Sequence, residues 1–319
     1  MLKKRELRRV TLVILPNSTS YEVGLTIKAL KTANLIASYS VFTWQIATLD
    51  GQAIELDDEF VMQPQIKVGE DEAFDLALIY GGEGFKASKS LTLINWLKRL
   101  DRQGVYLGTI GRACHELASA NLLNGYQCSI PIVYHDSFRE LFPSVGIQDA
   151  LYTWDRNRIT CTGHVASLDM VLNVIKHRCG AEIVSQVAET LNHQVRKESS
   201  INHRNLILEK MSGKLAKAVR VMEDNIEIPF TSEEIAAEIE TSKRQVERLF
   251  ARHLKSTPRR YYNGLRLKRA RSLLRQTSLT VSEISVACGF ASFSHFSKAY
   301  RGYFGTVPRK DRSLSSTYG

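Results

Sequence analysis

Residues 287–308 read Ala287-Cys-Gly-Phe-Ala-Ser-Phe-Ser-His-Phe-Ser-Lys-Ala-Tyr-Arg-Gly-Tyr-Phe-Gly-Thr-Val-Pro308, led in by Thr280-Val-Ser-Glu-Ile284. A degenerate copy lies upstream, where Thr231-Ser-Glu-Glu-Ile235 leads through Thr241-Ser-Lys-Arg-Gln-Val-Glu-Arg-Leu-Phe250 to Pro258. Ile235 matches Ile284 at an offset of 49. Val246, Phe250, Leu254 and Pro258 match Phe296, Tyr300, Phe304 and Pro308 at an offset of 50, so one residue is inserted in the turn between the matched blocks. Self-similarity at a fixed offset marks a duplicated structural unit. Each copy reads as a short helix, a turn and a second helix with polar outward positions, the helix-turn-helix pattern in which the second helix enters a DNA major groove.

Local chemistry agrees with this. Thr231 precedes Glu234 by three and Thr280 precedes Glu283 by three, the spacing of a capping box. Gly289 supplies a residue that accepts positive φ in the second turn; its equivalent in the first is Glu240, a weaker turn residue. Between the copies, Arg259 to Gln276 interleaves Arg266, Lys268, Arg269, Arg271 and Arg275 with Leu265, Leu267, Leu273 and Leu274, which predicts a long amphipathic helix fixing the two readers.

Helical spacing then sorts the outward side chains. Val246, Leu249 and Phe250 form the apolar stripe of the first recognition helix, so Arg244, Glu247 and Arg248 are the base-reading candidates. Arg suits guanine O6/N7 and Glu the cytosine amino group. In the second helix Phe296, Ala299 and Tyr300 face inward and Ser294, Ser297 and Lys298 outward. Lys243, Arg252, His295 and Arg301 are assigned to phosphates, which receive about half of all protein–DNA bonds.

Charge follows the same division. The 319 residues carry a net charge of +10, but residues 196–319 hold 24 basic and 12 acidic side chains and residues 1–195 hold 19 and 21. The whole basic excess lies in the repeat-bearing part, as a polyanion-binding module joined to a near-neutral domain requires. Five cysteines without a CxxC pair indicate neither a disulfide framework nor a zinc site. The run Val10 to Leu15 is too short for a signal peptide or a span, so a cytoplasmic protein without membrane contact is expected.

The near-neutral part alternates strands and helices. Val10–Leu15 is a strand followed by a helix from about Tyr21 to Ala37. Thr43–Leu49 and Phe74–Tyr80 are strands, the latter running into Gly81-Gly82. Leu91–Arg102 is a helix, Val105–Thr109 a strand and Arg112–Ala120 a helix. Ala150–Thr153 and Arg158–Cys161 flank a hairpin turn at Trp154–Asn157, and helices follow from Gly163 to His177 and from Ala181 to about Val195. This order predicts an α/β domain, a flavodoxin-like parallel sheet with helices on both faces, ahead of an all-α domain. Ligands bind such sheets at the carboxyl ends of the strands. The pocket candidates are therefore Asn17, Gly81, Gly82, Gly111, Arg112 and His164. Gly81-Gly82 allows close backbone approach, and the helix starting near Arg112 offers free N–H groups to an anion.

Two resemblances sharpen this outline. The signature ending at Pro308, with its upstream copy, resembles the AraC/XylS DNA-binding domain over about residues 214–312. Asp75-Leu-Ala-Leu-Ile-Tyr-Gly-Gly82, Leu107-Gly-Thr-Ile-Gly-Arg112, Phe138-Arg-Glu-Leu-Phe-Pro143 and Ile159-Thr-Cys-Thr-Gly163 before Ala166-Ser-Leu-Asp169 resemble the class I glutamine-amidotransferase-like (PfpI-like) domain. The variant is the one fused to AraC-type regulators, the GlxA family. The resemblance implies a nucleophilic Cys at a strand-helix elbow, an acid on the first helix and often a His. By alignment Gly111 stands at the Cys position, Lys28 at the acid and Pro131 at the His. Cys114 and His115 do not share a helix face and do not replace them. No catalytic residue, cofactor or metal is assigned.

The resulting expectation is a sequence-specific transcriptional regulator, an activator by resemblance. Its domains are 1–195 for ligand sensing and dimerisation, 196–213 as linker and 214–319 for DNA binding. Its partners are double-stranded promoter DNA, a small-molecule effector, RNA polymerase and a second copy in a homodimer. The resemblance implies an amino acid or quaternary-amine carboxylate as effector, with Tyr21, Trp44 and Tyr80 as aromatic candidates for a cationic group. The competing reading is a PfpI-like amidase or hydrolase with an appended DNA-binding domain.

Overall fold

The computed structural model describes residues 6–70, 73–82, 90–196 and 212–316. The chain divides into two compact units, Met1–Ser200 and Ile201–Gly319. Most of the expected linker, residues 197–211, lies outside the described residues.

In the first unit β1 (Arg9–Ile14), α1 (Ser20–Ala37) and β2 (Thr43–Thr48) are followed by the short strands β3 (Ile54–Glu55), β4 (Val61–Met62) and β5 (Ile66–Lys67). Then come β6 (Leu76–Gly81), α2 (Leu91–Arg102), β7 (Tyr106–Gly111), α3 (Cys114–Ser119), β8 (Gln127–Cys128), α4 (His135–Leu141) and β9 (Gly146–Ile147). The unit closes with β10 (Tyr152–Asp155), β11 (Arg158–Cys161), α5 (Ala166–Cys179) and α6 (Ala181–Thr190). A seven-stranded sheet runs β10-β11-β7-β6-β1-β2-β5, parallel throughout apart from the β10–β11 hairpin.

Period-two alternation supplies a core on each face. Leu12, Ile14, Leu78, Tyr80, Ile110 and Ile159 meet residues of α1, α5 and α6. Val13, Leu15, Ala77, Ile79 and Leu107 meet residues of α2, α3 and α4. Burying each such aliphatic side chain contributes about 1.5–3 kcal/mol, so the strands hold their register and bring Tyr80, Gly111 and Cys161 to one edge.

Three local expectations shift. Strand β10 reaches Asp155, so the hairpin turn contracts to Arg156-Asn157, with Arg156 at φ 54. The helix expected over Arg112–Ala120 is the six-residue α3. After α6 ends at Thr190 the chain turns back: His193 N–H bonds Ala188 O at 2.9 Å and His193 Nε2 lies 2.8 Å from Asp169 Oδ1. Asp169 is fully buried on α5 and also accepts from Arg196 N (2.9 Å), Nε (2.9 Å) and Nη2 (2.6 Å).

The second unit contains α7 (Gly213–Asp224), α8 (Ser232–Glu238), α9 (Lys243–Leu254), α10 (Pro258–Gln276), α11 (Val281–Ala287), α12 (Phe293–Phe304) and α13 (Pro308–Ser316). Both capping boxes close, Thr231 with Glu234 and Thr280 with Glu283. Glu240 adopts φ 52, the left-handed conformation that Gly289 takes at φ 70. Each helix-turn-helix has its own core, and α10 enters both, with Tyr262 and Leu265 in the first and Leu267, Ala270, Leu273 and Leu274 in the second. Arg266 on α10 donates to Cys288 O (2.8 Å) and Gly289 O (2.5 Å) while its guanidinium lies 4.1 Å from the centre of the Phe290 ring. Arg271 and Arg275 converge on buried Asp311, at 2.9 and 2.6 Å, which also accepts from Tyr300 Oη at 2.8 Å.

Among the described residues no helix is long and apolar enough to cross a membrane, and no group of three or more His, Cys, Asp or Glu is placed to hold a metal ion.

Candidate sensor site and DNA-reading surface

The carboxyl edge of the sheet is built on glycines. Gly111 ends β7 at φ 63, the left-handed geometry of a strand-helix elbow, and an added Cβ there would meet only Gly81 O at 3.2 Å. Gly163 follows β11 at φ 86; a Cβ on it would stand 2.8 Å from Glu22 Oε1 and 3.2 Å from Gly111 Cα. Glu22 and the elbow therefore border the same point. The Glu22 carboxylate accepts the backbone N–H of His164, itself exposed at φ 53. Burial raises the Glu22 pKa, against the lowering effect of the His164 N–H.

Glu22 corrects the sequence alignment, which placed Lys28 at the acidic position of the first helix. Lys28 is exposed, whereas Glu22 is only 5% exposed and belongs to the inward stripe of α1 with Val23, Thr26, Ala29, Leu30 and Ala33. The elbow is a glycine with a buried carboxylate beside it. Pro131 caps the 3-10 turn Ile132–Tyr134 and brings no imidazole.

The expected anion site at the elbow is also corrected. Arg112 N–H donates to Gly81 O (3.2 Å), Ala113 N–H to Ile110 O (3.4 Å) and His115 N–H to Arg112 O (3.0 Å). These amides are spent inside the turn, and six residues are too few for a useful helix terminus. The Arg112 side chain remains: its guanidinium lies 5.3 Å from the centre of the Tyr134 ring, and its buried Nε has no hydrogen-bond partner among the described residues. Gly82 serves the fold, because a Cβ there would fall 1.1 Å from Asn17 O. Asn17 itself is exposed at φ 60.

Neighbouring polar and aromatic groups are quiet. Cys114 is fully buried, and burial followed by the nearby Cys128 thiol pushes its pKa well up, opposite to what a nucleophile needs. His115 packs edge-on against Tyr134, Phe138 and Phe142; burial and then the Arg112 charge push its pKa down to about 4, so it is neutral. Tyr80 is buried and donates to Thr26 Oγ1 at 2.7 Å, which removes it as a surface for a cation. Trp44 packs against the core, and Tyr21 is 40% exposed.

In the second unit Ser242 and Ser292 cap α9 and α12, each accepting from the residue three positions on. Arg244, Glu247 and Arg248 are exposed on α9, Ser294 and Lys298 on α12, with Ser297 half-buried. Arg252, His295 and Arg301 are exposed as well. Lys243 is exposed and paired with Glu233 at 2.6 Å. An open groove of about 650 Å³ runs along α12 between Phe293, Ser294, Ser297, Lys298, Arg301 and Val307.

Known proteins match both units. Residues 8–177 match the DJ-1/PfpI family and residues 235–313 a helix-turn-helix domain. The transcriptional regulator GbdR of Pseudomonas aeruginosa is 35% identical over 315 residues, covering 97% of this chain and 85% of its own. ArgR of the same species is 40% identical over 220 residues, 68% of this chain and 67% of its own. An AraC family regulator from Pseudomonas putida superposes with a TM-score of 0.53 at 24% identity, over 58% of this chain and 99% of that one, which shows the shared fold. A DJ-1/PfpI-type α/β unit followed by a duplicated helix-turn-helix defines a DNA-binding transcriptional regulator rather than an amidase. The chain belongs to the AraC-type regulators that carry a DJ-1/PfpI domain, the group that includes GbdR and GlxA.

Proposed function

We propose that the first unit is the sensor of a cytoplasmic, effector-controlled activator that binds promoter DNA as a homodimer and acts on RNA polymerase. The observation that carries the sensor reading is the pairing of a thiol-free elbow with a buried carboxylate. Gly111 removes the nucleophile while Glu22 stays beside it, so the edge keeps recognition chemistry without covalent chemistry. The effector class we infer is an amino acid or quaternary-amine carboxylate, with Glu22 and Tyr21 assigned to its cationic end. In this reading Gly81, Gly111 and His164 line the effector site, with Asn17 and Gly82 at its rim.

Arg196 gives the sensor a way to reach the rest of the chain. It is the first residue of the expected linker, it is held by buried Asp169, and its charge acts on both Tyr21 and Cys161 beside Glu22. An effector that favours one arrangement of this cluster biases the point at which the chain leaves the sensor.

The test is a thermal-shift titration of the full-length protein with amino acids, betaines and carnitines. A saturable rise in Tm for one class, absent in Glu22→Ala, is expected. No shift from any member of the three classes would reject this effector chemistry.

A further inference from the structure

The second recognition helix carries an aromatic side chain that the core does not use. Phe290, Phe296, Tyr300 and Phe304 pack in series at ring separations of 5.1, 5.6 and 4.7 Å. Phe293, the first residue of α12, stands outside this series at 44% exposure. It lies with Ser294, Ser297, Lys298 and Arg301 along the groove, and Val307 adds a second exposed apolar surface there. Residues 293, 297 and 301 recur at four-residue spacing, so the ring shares a helix face with a hydroxyl and a cation.

The duplicated partner shows what is particular to this position. At an offset of 50, Phe293 corresponds to Lys243, which is paired with Glu233. The outward set of the first helix, Arg244, Glu247 and Arg248, can form bidentate and charge-assisted bonds; the corresponding set of the second is Ser294, Ser297 and Lys298. The two readers have diverged, one toward hydrogen-bonding bases and the other toward an apolar contact flanked by short hydroxyls. The major groove offers one apolar feature that distinguishes bases, the 5-methyl group of thymine. N-terminal residues of a recognition helix are those that reach base edges.

We propose that Phe293 is a specificity-determining residue that reads thymine by packing its ring on the 5-methyl group in the half-site entered by α12. The inference rests on the placement of α12 in the major groove. The partner is DNA rather than a protein because the ring is set among Lys298, Arg301 and hydroxyls in a unit that holds the chain's entire basic excess. The first half-site, with Lys243 in this position, has no such thymine requirement.

The test uses the full-length chain and the duplex it selects from a randomised pool. Each thymine is replaced in turn by deoxyuridine, which removes the methyl group and leaves the pairing unchanged. Wild type is expected to lose about three- to tenfold in affinity at one or two thymines of a single half-site, as removal of one apolar contact implies. Phe293→Ser is expected to be insensitive at those positions, and Phe293→Leu to retain part of the effect. Equal binding of every uracil duplex by wild type, or the same uracil penalty in Phe293→Ser, overturns the proposal. Lys298→Ala locates the error: if it weakens binding while uracil does not, only the methyl contact is wrong, and if neither matters, α12 does not enter the groove.

Discussion

His164 donates its backbone N–H to the carboxylate of Glu22, joining positions 142 residues apart where β11 ends and α1 begins. The contact holds His164 in a left-handed conformation and keeps a carboxyl group beside a glycine elbow that has no nucleophile to support.

Glu22→Gln should stabilise the protein at neutral pH and abolish its effector response. Burial raises the folded-state pKa of Glu22 above its unfolded value. An acid shifted in that direction leaves stability highest where it is protonated in both states, and stability falls as pH rises from the ordinary carboxylate range through the folded pKa. The amide still accepts from His164 N–H and carries no charge to desolvate. Melting curves should show the variant above wild type at pH 7.5, with the gap closing toward pH 4; a constant gap would mean that ionisation is not the cause.

Gly111→Cys should fold and expose a new thiol. The left-handed φ costs about 1–2 kcal/mol for a side chain, while the added Cβ meets only Gly81 O at 3.2 Å. Cys114, Cys128, Cys161 and Cys288 are buried. Native-state alkylation should therefore add one rapidly modified equivalent over wild type, and its absence would show that the elbow is closed to small molecules.

The two turns of the duplicated readers should respond oppositely. Glu240→Gly relieves a strained φ of 52 and should stabilise by about 1 kcal/mol. Gly289→Ala adds a Cβ 2.5 Å from Ile226 O and 2.7 Å from Glu227 O at φ 70, and should destabilise by about 2–4 kcal/mol. Urea denaturation of both variants decides the signs.

Arg248→Ala should relax discrimination at one base pair and cost ~1–3 kcal/mol on the preferred duplex, whereas Arg252→Ala should weaken all duplexes alike. Affinities on matched and mismatched sites distinguish them, and uniform loss from both would remove Arg248 from base reading.

The capping pairs and the outward positions of α9 and α12 were legible in the sequence because each rests on neighbours within four residues, and the repeat because its matches keep a fixed offset of 49 to 50 residues. The sensor edge was less so, since its contacts join residues far apart in the chain. One local signal did point to Glu22: it shares helical spacing with Thr26, Ala29 and Ala33, the buried stripe, whereas Lys28 falls on the opposite face. Asp169 gave no such warning. It sits amid the apolar run of α5, and its partners His193 and Arg196 lie on the far side of another helix.

Arg266, Arg271 and Arg275 hold the second reader to α10 and to Asp311. Cations engaged this way shed few counterions when DNA arrives. The formal surplus of the second half therefore overstates its electrostatic footprint, and the dependence of affinity on salt should reflect the exposed cations other than these three, at roughly −0.9 per phosphate neutralised. What reads as a basic domain in a charge count is in part an internal brace, and the grip on DNA is narrower, and more dependent on sequence, than the count suggests.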